Sequence, residues 1–221
     1  MARPQKFNTD DVLDQAMNVF WQKGYDNTSV QDLVDATGLN RGSLYNTFGD
    51  KADLFAQILK RYRSQSPAAL LSAKADTAPS RQWIKDFLMS LVTRAKTDPD
   101  HKGCLITNTA AGLYGCDDTM TALINQTLQE LETLFTRVIE RGQNEGQISR
   151  ESSAQSLARF FVATANGINV LASAHTDTDK LAEIVDNALV LLGDPSTIEK
   201  PQASPSEDNG LAFPSDPPSL Y

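Results

Sequence analysis

The stretch 28–51, TSVQDLVDATGLNRGSLYNTFGDK, constrains the chain more than any other. Its spacing predicts a helix, a tight turn, a second short helix and the start of a third. Thr28 is placed to cap the first of these, with Gln31 completing a capping box. Val30, Leu33 and Val34 give that helix an apolar stripe at helical spacing. Gly38 stands where a helix stop needs positive φ, Leu39 can plug the turn, and Asn40 is a strong cap for the second helix. In that second helix, 41–48, Leu44 and Phe48 lie four apart and face a core. Arg41, Gly42, Ser43, Tyr45 and Asn46 are left on the outside. Such a face suits a DNA major groove. Small residues at the N-terminus let backbone amides approach phosphate. Arg, Ser and Asn can read base edges, and Tyr can bind phosphate or stack on sugar. Gly49 ends this helix, Asp50 caps the next, and Lys51 opens it. Two helices joined by about three residues, the second polar outward, form the helix-turn-helix pattern. A plain helical hairpin in an all-α protein is the competing reading.

The string TGLNRGSLYNTFGDKADLF, preceded by VFWQKGYDNTSVQDLVDA, resembles the DNA-binding domain of the TetR/AcrR family of transcriptional regulators. The resemblance covers roughly 8–62. It rests on Val19, Phe20, Gly24, Tyr25, Thr28, Gly38, Gly42, Leu44, Tyr45, Phe48, Lys51 and Leu54. It implies an all-α fold, with a three-helix helix-turn-helix head at 1–66 and a helical ligand-binding and dimerisation bundle at 67–193. The implied function is a DNA-binding regulator, by family habit a repressor, released from its operator by a small molecule. Thr28, Tyr45 and Lys51 are expected to hold phosphates, with Gly42 allowing close approach. Arg41, Ser43 and Asn46 are the expected base readers.

The formal net charge of -8 argues at first against a nucleic-acid partner. The distribution removes the objection. Residues 1–66 hold eight Lys/Arg and eight Asp/Glu, and 67–221 carry the whole excess of acid. The head concentrates bases at Arg3, Lys6, Arg41, Lys51, Lys60, Arg61 and Arg63. Affinity for DNA is therefore expected to be moderate and steeply salt-dependent. No apolar run is long enough to span a bilayer and the N-terminus lacks an apolar signal core, so a cytoplasmic location is expected. Two cysteines and two distant histidines give no metal-ligand pattern. No catalytic constellation, phosphate loop or cofactor motif assembles, so neither an enzyme nor a cofactor is expected. Residues 194–221 hold six of the ten prolines and no periodic apolar content, which predicts a disordered tail.

Helical periodicity predicts about nine helices in all. The first covers 9–23. A fourth is expected from 50 to 71, with Pro67 kinking or ending it. Others are expected over 80–97, 104–113, 117–144, 152–174 and 180–192. The last two present more apolar surface than a monomer should expose, which predicts a four-helix bundle between two copies. A two-fold dimer in turn predicts a palindromic operator.

For the sensing half, an apolar pocket is expected from Trp83, Phe87, Leu105, Tyr114, Phe135 and Phe161, with Asn108, Thr109 and Asn166 orienting the ligand. The segment His101-Lys102-Gly103-Cys104 suggests a second mode. Its thiol follows two potential cations at an expected helix start, all of which favour thiolate. GCLITNTA also resembles a segment in a family branch that includes electrophile- and oxidant-responsive repressors. Cys104 is therefore a candidate sensing residue for an electrophile inducer, set against the plain reading of a buried, inert thiol. A pairing with Cys116 requires the chain to fold back. The rival function is a helical dimer that binds a protein and uses its helix-turn-helix only as a scaffold.

Overall fold

The structure, a computed structural model, describes residues 7–112, 118–194 and 196. Ten helices and no strand occur among them. The head comprises α1 (Thr9–Lys23), α2 (Val30–Thr37), α3 (Arg41–Phe48) and α4 (Lys51–Ser64). The body comprises α5 (Pro67–Ser72), α6 (Ser80–Thr97), α7 (Leu105–Ala111), α8 (Asp118–Asn144), α9 (Ala154–Ser173) and α10 (Thr178–Val190).

Local chemistry sets most of the boundaries. Asn8 caps α1, with Asp10 and Asp11 in its first turn and Lys23 in its last, each at the end the helix dipole favours. Gly38, at φ 67°, ends α2 in the left-handed region, and the Asn40 side chain accepts from Ser43 N at 2.8 Å to start α3. Asp50 and Asp53 form a reciprocal capping box at α4. The cap of α2 differs from the sequence expectation. It is Ser29, not Thr28, and its box partner is Asp32, not Gln31. Thr28 is buried, with its hydroxyl donated to Gly24 O at 2.6 Å. A one-residue shift of the helix start exchanged the two hydroxyls: one became the cap and the other a plug in the α1–α2 turn.

The expected fourth helix over 50–71 is two helices. Pro67 disfavours helical geometry in the residue before it, and Ser66 lies at φ -70°, ψ 156°. The Ser66 side chain then caps α5, with Pro67 at its first position, where a missing N–H costs nothing. This break accounts for ten helices in place of about nine. The predicted tail and the segment 113–117 fall outside the described residues, apart from 194 and 196.

Two apolar cores result. The first joins Phe20 of α1, Leu33 of α2, Leu44 and Phe48 of α3, and Leu54, Phe55, Ile58 and Leu59 of α4. Each such side chain contributes about 1.5–3 kcal/mol on burial. The second is built on Trp83, Phe87, Phe135 and Phe161, whose rings pack in stacked and edge-on pairs 5.0–6.1 Å apart. Apolar packing does not divide at residue 66. The head core continues through Tyr62 to Leu105 and Ile106 of α7 and to Met120 and Ile124 of α8. A helix of the head is thereby packed directly against the body.

Replacing Ser29 by Ala is expected to lower stability by about 1 kcal/mol, the usual worth of a cap. Gln31→Ala, which loses only an exposed bond to Asp35, is expected to change it by less than about 0.5 kcal/mol. Urea unfolding of both variants checks the cap assignment.

Candidate nucleic-acid interface and ligand cavity

The face of α3 is set by its two buried residues. Leu44 is 0% and Phe48 2% exposed, and between them they fix the rotation of the helix. Arg41, Gly42 and Asn46 are exposed, and Ser43 and Tyr45 half-buried. The Arg41 guanidinium lies 5.6 Å from the centre of the Tyr45 ring. Lys51, at the start of α4, lies with its ammonium 4.5 Å from the centre of the Tyr25 ring. The first turn of a helix is the unfavourable end for a cation. What it meets within the head is the Tyr25 ring. Gly42 is not required by packing. An added Cβ would meet nothing nearer than Asn40 Oδ1, at 3.4 Å, so the fold has room for alanine. Glycine in a helix costs up to about 1 kcal/mol relative to alanine. Thr28, expected beside these residues, is buried, with its hydroxyl donated to Gly24 O within the head.

Several head cations are already paired. Arg61 donates to Asp14 at 2.6 and 2.7 Å and also pairs with Asp10, tying α4 to α1. The bond from Arg61 holds the Asp14 carboxyl below the usual range. Lys23 pairs with Asp32, whose pKa falls to about 2 through bonds from Lys23 first and Ser29 second. Arg63 pairs with Glu130 of α8. The cluster Lys60, Arg61 and Arg63 is thus not the basic spot expected from sequence, because two of the three are neutralised by acids distant in the chain.

A cavity of about 500 Å³ lies where α4, α5, α6, α8 and α9 meet. Its walls are largely apolar, from Phe87, Leu91, Ile106, Leu128, Leu131 and Leu134. Its polar end gathers residues from four elements. The Tyr62 hydroxyl of α4 donates to Cys104 Sγ at 3.4 Å. Arg94 of α6 donates to the Tyr62 oxygen at 3.0 Å and to Asn169 Oδ1 of α9 at 2.9 Å. Burial, more than any neighbour, pushes the Tyr62 phenol well above its usual pKa, so it stands there as a neutral hydroxyl. Gly103 brings the cysteine to this cluster. It is buried at φ 65°, and any Cβ there would collide with the Ser173 side chain of α9.

Of the sensing residues expected from sequence, Phe87, Cys104 and Asn166 line the cavity. Trp83 and Phe135 are 1% and 0% exposed and lie in the aromatic core instead, as do Leu105 and Phe161 in theirs. Asn108 is exposed and donates to Lys102 O, and the Thr109 hydroxyl is donated to Leu105 O. Tyr114 and Cys116 lie outside the described residues, and with them the Cys104–Cys116 pairing. The cations expected beside the thiol are engaged elsewhere. Lys102 pairs with Asp100 at 3.0 Å, and the His101 ring packs on His175 at 3.9 Å. The nearby cation is Arg94, which sequence reasoning missed together with the polar roles of Tyr62 and Asn169. A signal existed: Arg94 follows Phe87 and Leu91 at helical spacing, a charge in register with an apolar stripe. Among the described residues no group of three or more His, Cys, Asp or Glu is placed to hold a metal.

Comparison with known proteins gives a consistent picture. Residues 12–58 match the family described as "Bacterial regulatory proteins, tetR family", and 82–188 match "Tetracyclin repressor-like, C-terminal domain". The HTH-type transcriptional regulator YezE of Bacillus subtilis is 30% identical over 193 residues, 87% of this chain and 100% of that one. The HTH-type transcriptional repressor ComR of Escherichia coli is 30% identical, covering 86% of this chain and 91% of that one. Among solved structures, a cysteine mutant of the TetR family regulator CifR bound to 26-bp operator DNA is similar at a TM-score of 0.76 and 28% identity, covering 85% of this chain and 98% of that one. Reduced E. coli NemR, at a TM-score of 0.72 and 17% identity over 88% of this chain and 98% of that one, shares the fold.

Proposed function

The chain belongs to the TetR family of bacterial transcriptional regulators, proteins that bind DNA, and from that premise we propose that it is a homodimeric repressor whose operator release is controlled from the cavity beside Cys104. The observation that carries this reading is that one helix serves both sites. The N-terminal part of α4 carries Lys51 and packs in the head core, and its C-terminal part supplies Tyr62 and Arg63 to the cavity wall. A ligand that prefers a different position of α4 changes how the head is presented. The resulting loss of operator affinity equals the ligand's differential affinity for the two states.

In this reading residues 1–66 act as the DNA head and 67–193 as the sensing and dimerisation body. Tyr45 and Lys51 hold phosphates, Arg41, Ser43 and Asn46 read bases, and Gly42 admits the backbone. The dimer is formed by α9 and α10. Phe160, Val170 and Leu171 of α9, with Val190 and Leu191 after it, expose large apolar side chains. Gly167 lies on the same stripe with open space above it, so a second helix can approach closely. Two-fold pairing places the two α3 helices in successive major grooves about 34 Å apart, and the operator is then palindromic. Occupying it blocks transcription, and the site of action is the cytoplasm. No described helix is long and apolar enough to cross a membrane.

Cys104 lines the cavity and gives it a covalent mode. Addition of its sulfur to a quinone carbon, or its oxidation by diamide to a mixed disulfide with added thiol, places a bulky group against Tyr62 and Arg94. The rival protein-binding scaffold has no comparable use for Lys51 at a helix N-terminus or for Gly42 at a site with room for a side chain.

Binding to DNA selected from a random pool tests the head. Arg41→Ala, Tyr45→Ala and Lys51→Ala combined are expected to weaken specific binding by about 100-fold or more, and Lys51→Ala alone to reduce the salt slope by about 1. Unchanged binding by the triple variant removes this face from the DNA interface. Gly42→Ala is expected to stabilise the fold by about 0.5–1 kcal/mol while weakening operator binding, a separation read by urea unfolding and gel shift. For the sensor, diamide or a quinone is expected to release wild-type protein from DNA, thiol to reverse the diamide effect, and Cys104→Ser to be indifferent to both. A Cys104→Ser variant that responds like the parent removes the covalent mode.

A further inference from the structure

The polar end of the cavity holds a guanidinium, Arg94, that no carboxylate meets. Among the described residues no carboxylate lies within ion-pair distance of Arg94, and the bonds it donates to oxygen go to neutral partners, the Tyr62 phenol and the Asn169 amide. A guanidinium has five N–H donors in a planar fork shaped for a carboxylate, and here they meet the Tyr62 oxygen, Asn169 Oδ1 and the Cys104 sulfur, none of them a carboxylate. Arg94 is half-buried, and even a partly desolvated charge is costly unless an opposite charge meets it. The other charges on the cavity wall do not supply one. Glu130 is paired with Arg63, and Lys60 adds a second positive charge. Away from Arg94 the surroundings are aliphatic and aromatic, and the volume of about 500 Å³ suits a small organic molecule.

We propose that this cavity takes an apolar monoanion, a carboxylate on a hydrocarbon body, with Arg94 as its anchor. The proposal rests on reading the cavity as the inducer site and names the chemistry of its occupant. A carboxylate at Arg94 competes for the N–H groups now given to the Tyr62 oxygen and Asn169 Oδ1. Tyr62 belongs to α4 and Asn169 to α9, so the anion loosens the head helix and the dimer helix from α6 in one event. The apolar walls hold the hydrocarbon body and disfavour sugars and polyphosphates. The positive wall disfavours amines.

The test is calorimetric titration of the full chain with hexanoate, octanoate and decanoate, each beside its amide and its amine. At least one acid is expected to bind about ten-fold or more tighter than its amide, the scale of a single charge-assisted hydrogen bond, with the amine weaker still. Arg94→Gln is expected to bring acid and amide within about two-fold, with amide binding retained. Arg94→Lys, which keeps the charge and loses the fork, is expected to narrow the preference, and it serves as the readout if Arg94→Gln does not fold. Acid and amide binding alike to wild type, or an acid preference unchanged in both variants, overturns the proposal while leaving the cavity as a ligand site. If no acid, amide or amine binds, the proposal falls, and the inducer reading is then decided by the Cys104 test alone. DNA binding, measured separately, is untouched by either result.

Discussion

The shared packing of α4 is the constraint on which this molecule depends. Leu54, Phe55, Ile58 and Leu59 hold it in the head core, and Tyr62, one turn further on, shares that core with residues of α7 and α8. Ion pairs reinforce both ends of this arrangement, Arg61 to Asp10 and Asp14 in the head and Arg63 to Glu130 in the body. Exposed pairs of this kind contribute little each. Their use is to fix the rotation of α4, because neighbouring residues on one helix are tied to opposite partners. The helix cannot turn or slide without disturbing one set, which is the coupling that the proposed control from the cavity requires.

Stability and function are in tension at a few identified positions. Gly42 forgoes helix propensity at a site with room for a methyl group, and Lys51 occupies the wrong end of a helix dipole. Arg94 is half-buried and meets no carboxylate, where an apolar side chain would fill the same register without the cost of desolvation. Phe160, Val170 and Val190 leave apolar surface in water. Each departs from what folding alone favours, and each lies on a face assigned to DNA, to a ligand or to a second copy of the chain. The rest of the molecule obeys the local rules closely, with side-chain caps at α1, α2, α3, α4 and α5 and charges at the favoured ends of α1.

Local chemistry made much of this legible in the sequence. Gly38, Asn40, Gly49 and Asp50 act within a few residues of themselves, so the bounds of α3 and the start of α4 follow from their side chains alone. The cap of α2 was misplaced by one residue because Thr28 and Ser29 are both competent caps. Only the packing of the α1–α2 turn buries the first and frees the second. The break at Ser66 was half legible: Pro67 announced an interruption, yet whether it kinks a helix or starts a new one depends on what its neighbours pack against.

The cavity divides the two kinds of information most sharply. The sequence by itself determined the all-α fold, the helix-turn-helix, the exposed face of α3 and an apolar body, because periodicity, caps and turn glycines act locally. It also singled out Phe87 and Cys104, which do line the cavity. Only the tertiary structure decided that Trp83 and Phe135 are core, that Lys102 answers Asp100 in preference to the thiol, and that Tyr62, Arg94, Cys104 and Asn169 form one cluster. Those four residues span more than a hundred positions, on three helices and the turn that precedes α7. No local rule links them, and their meeting follows from how α4, α6 and α9 pack around a common space.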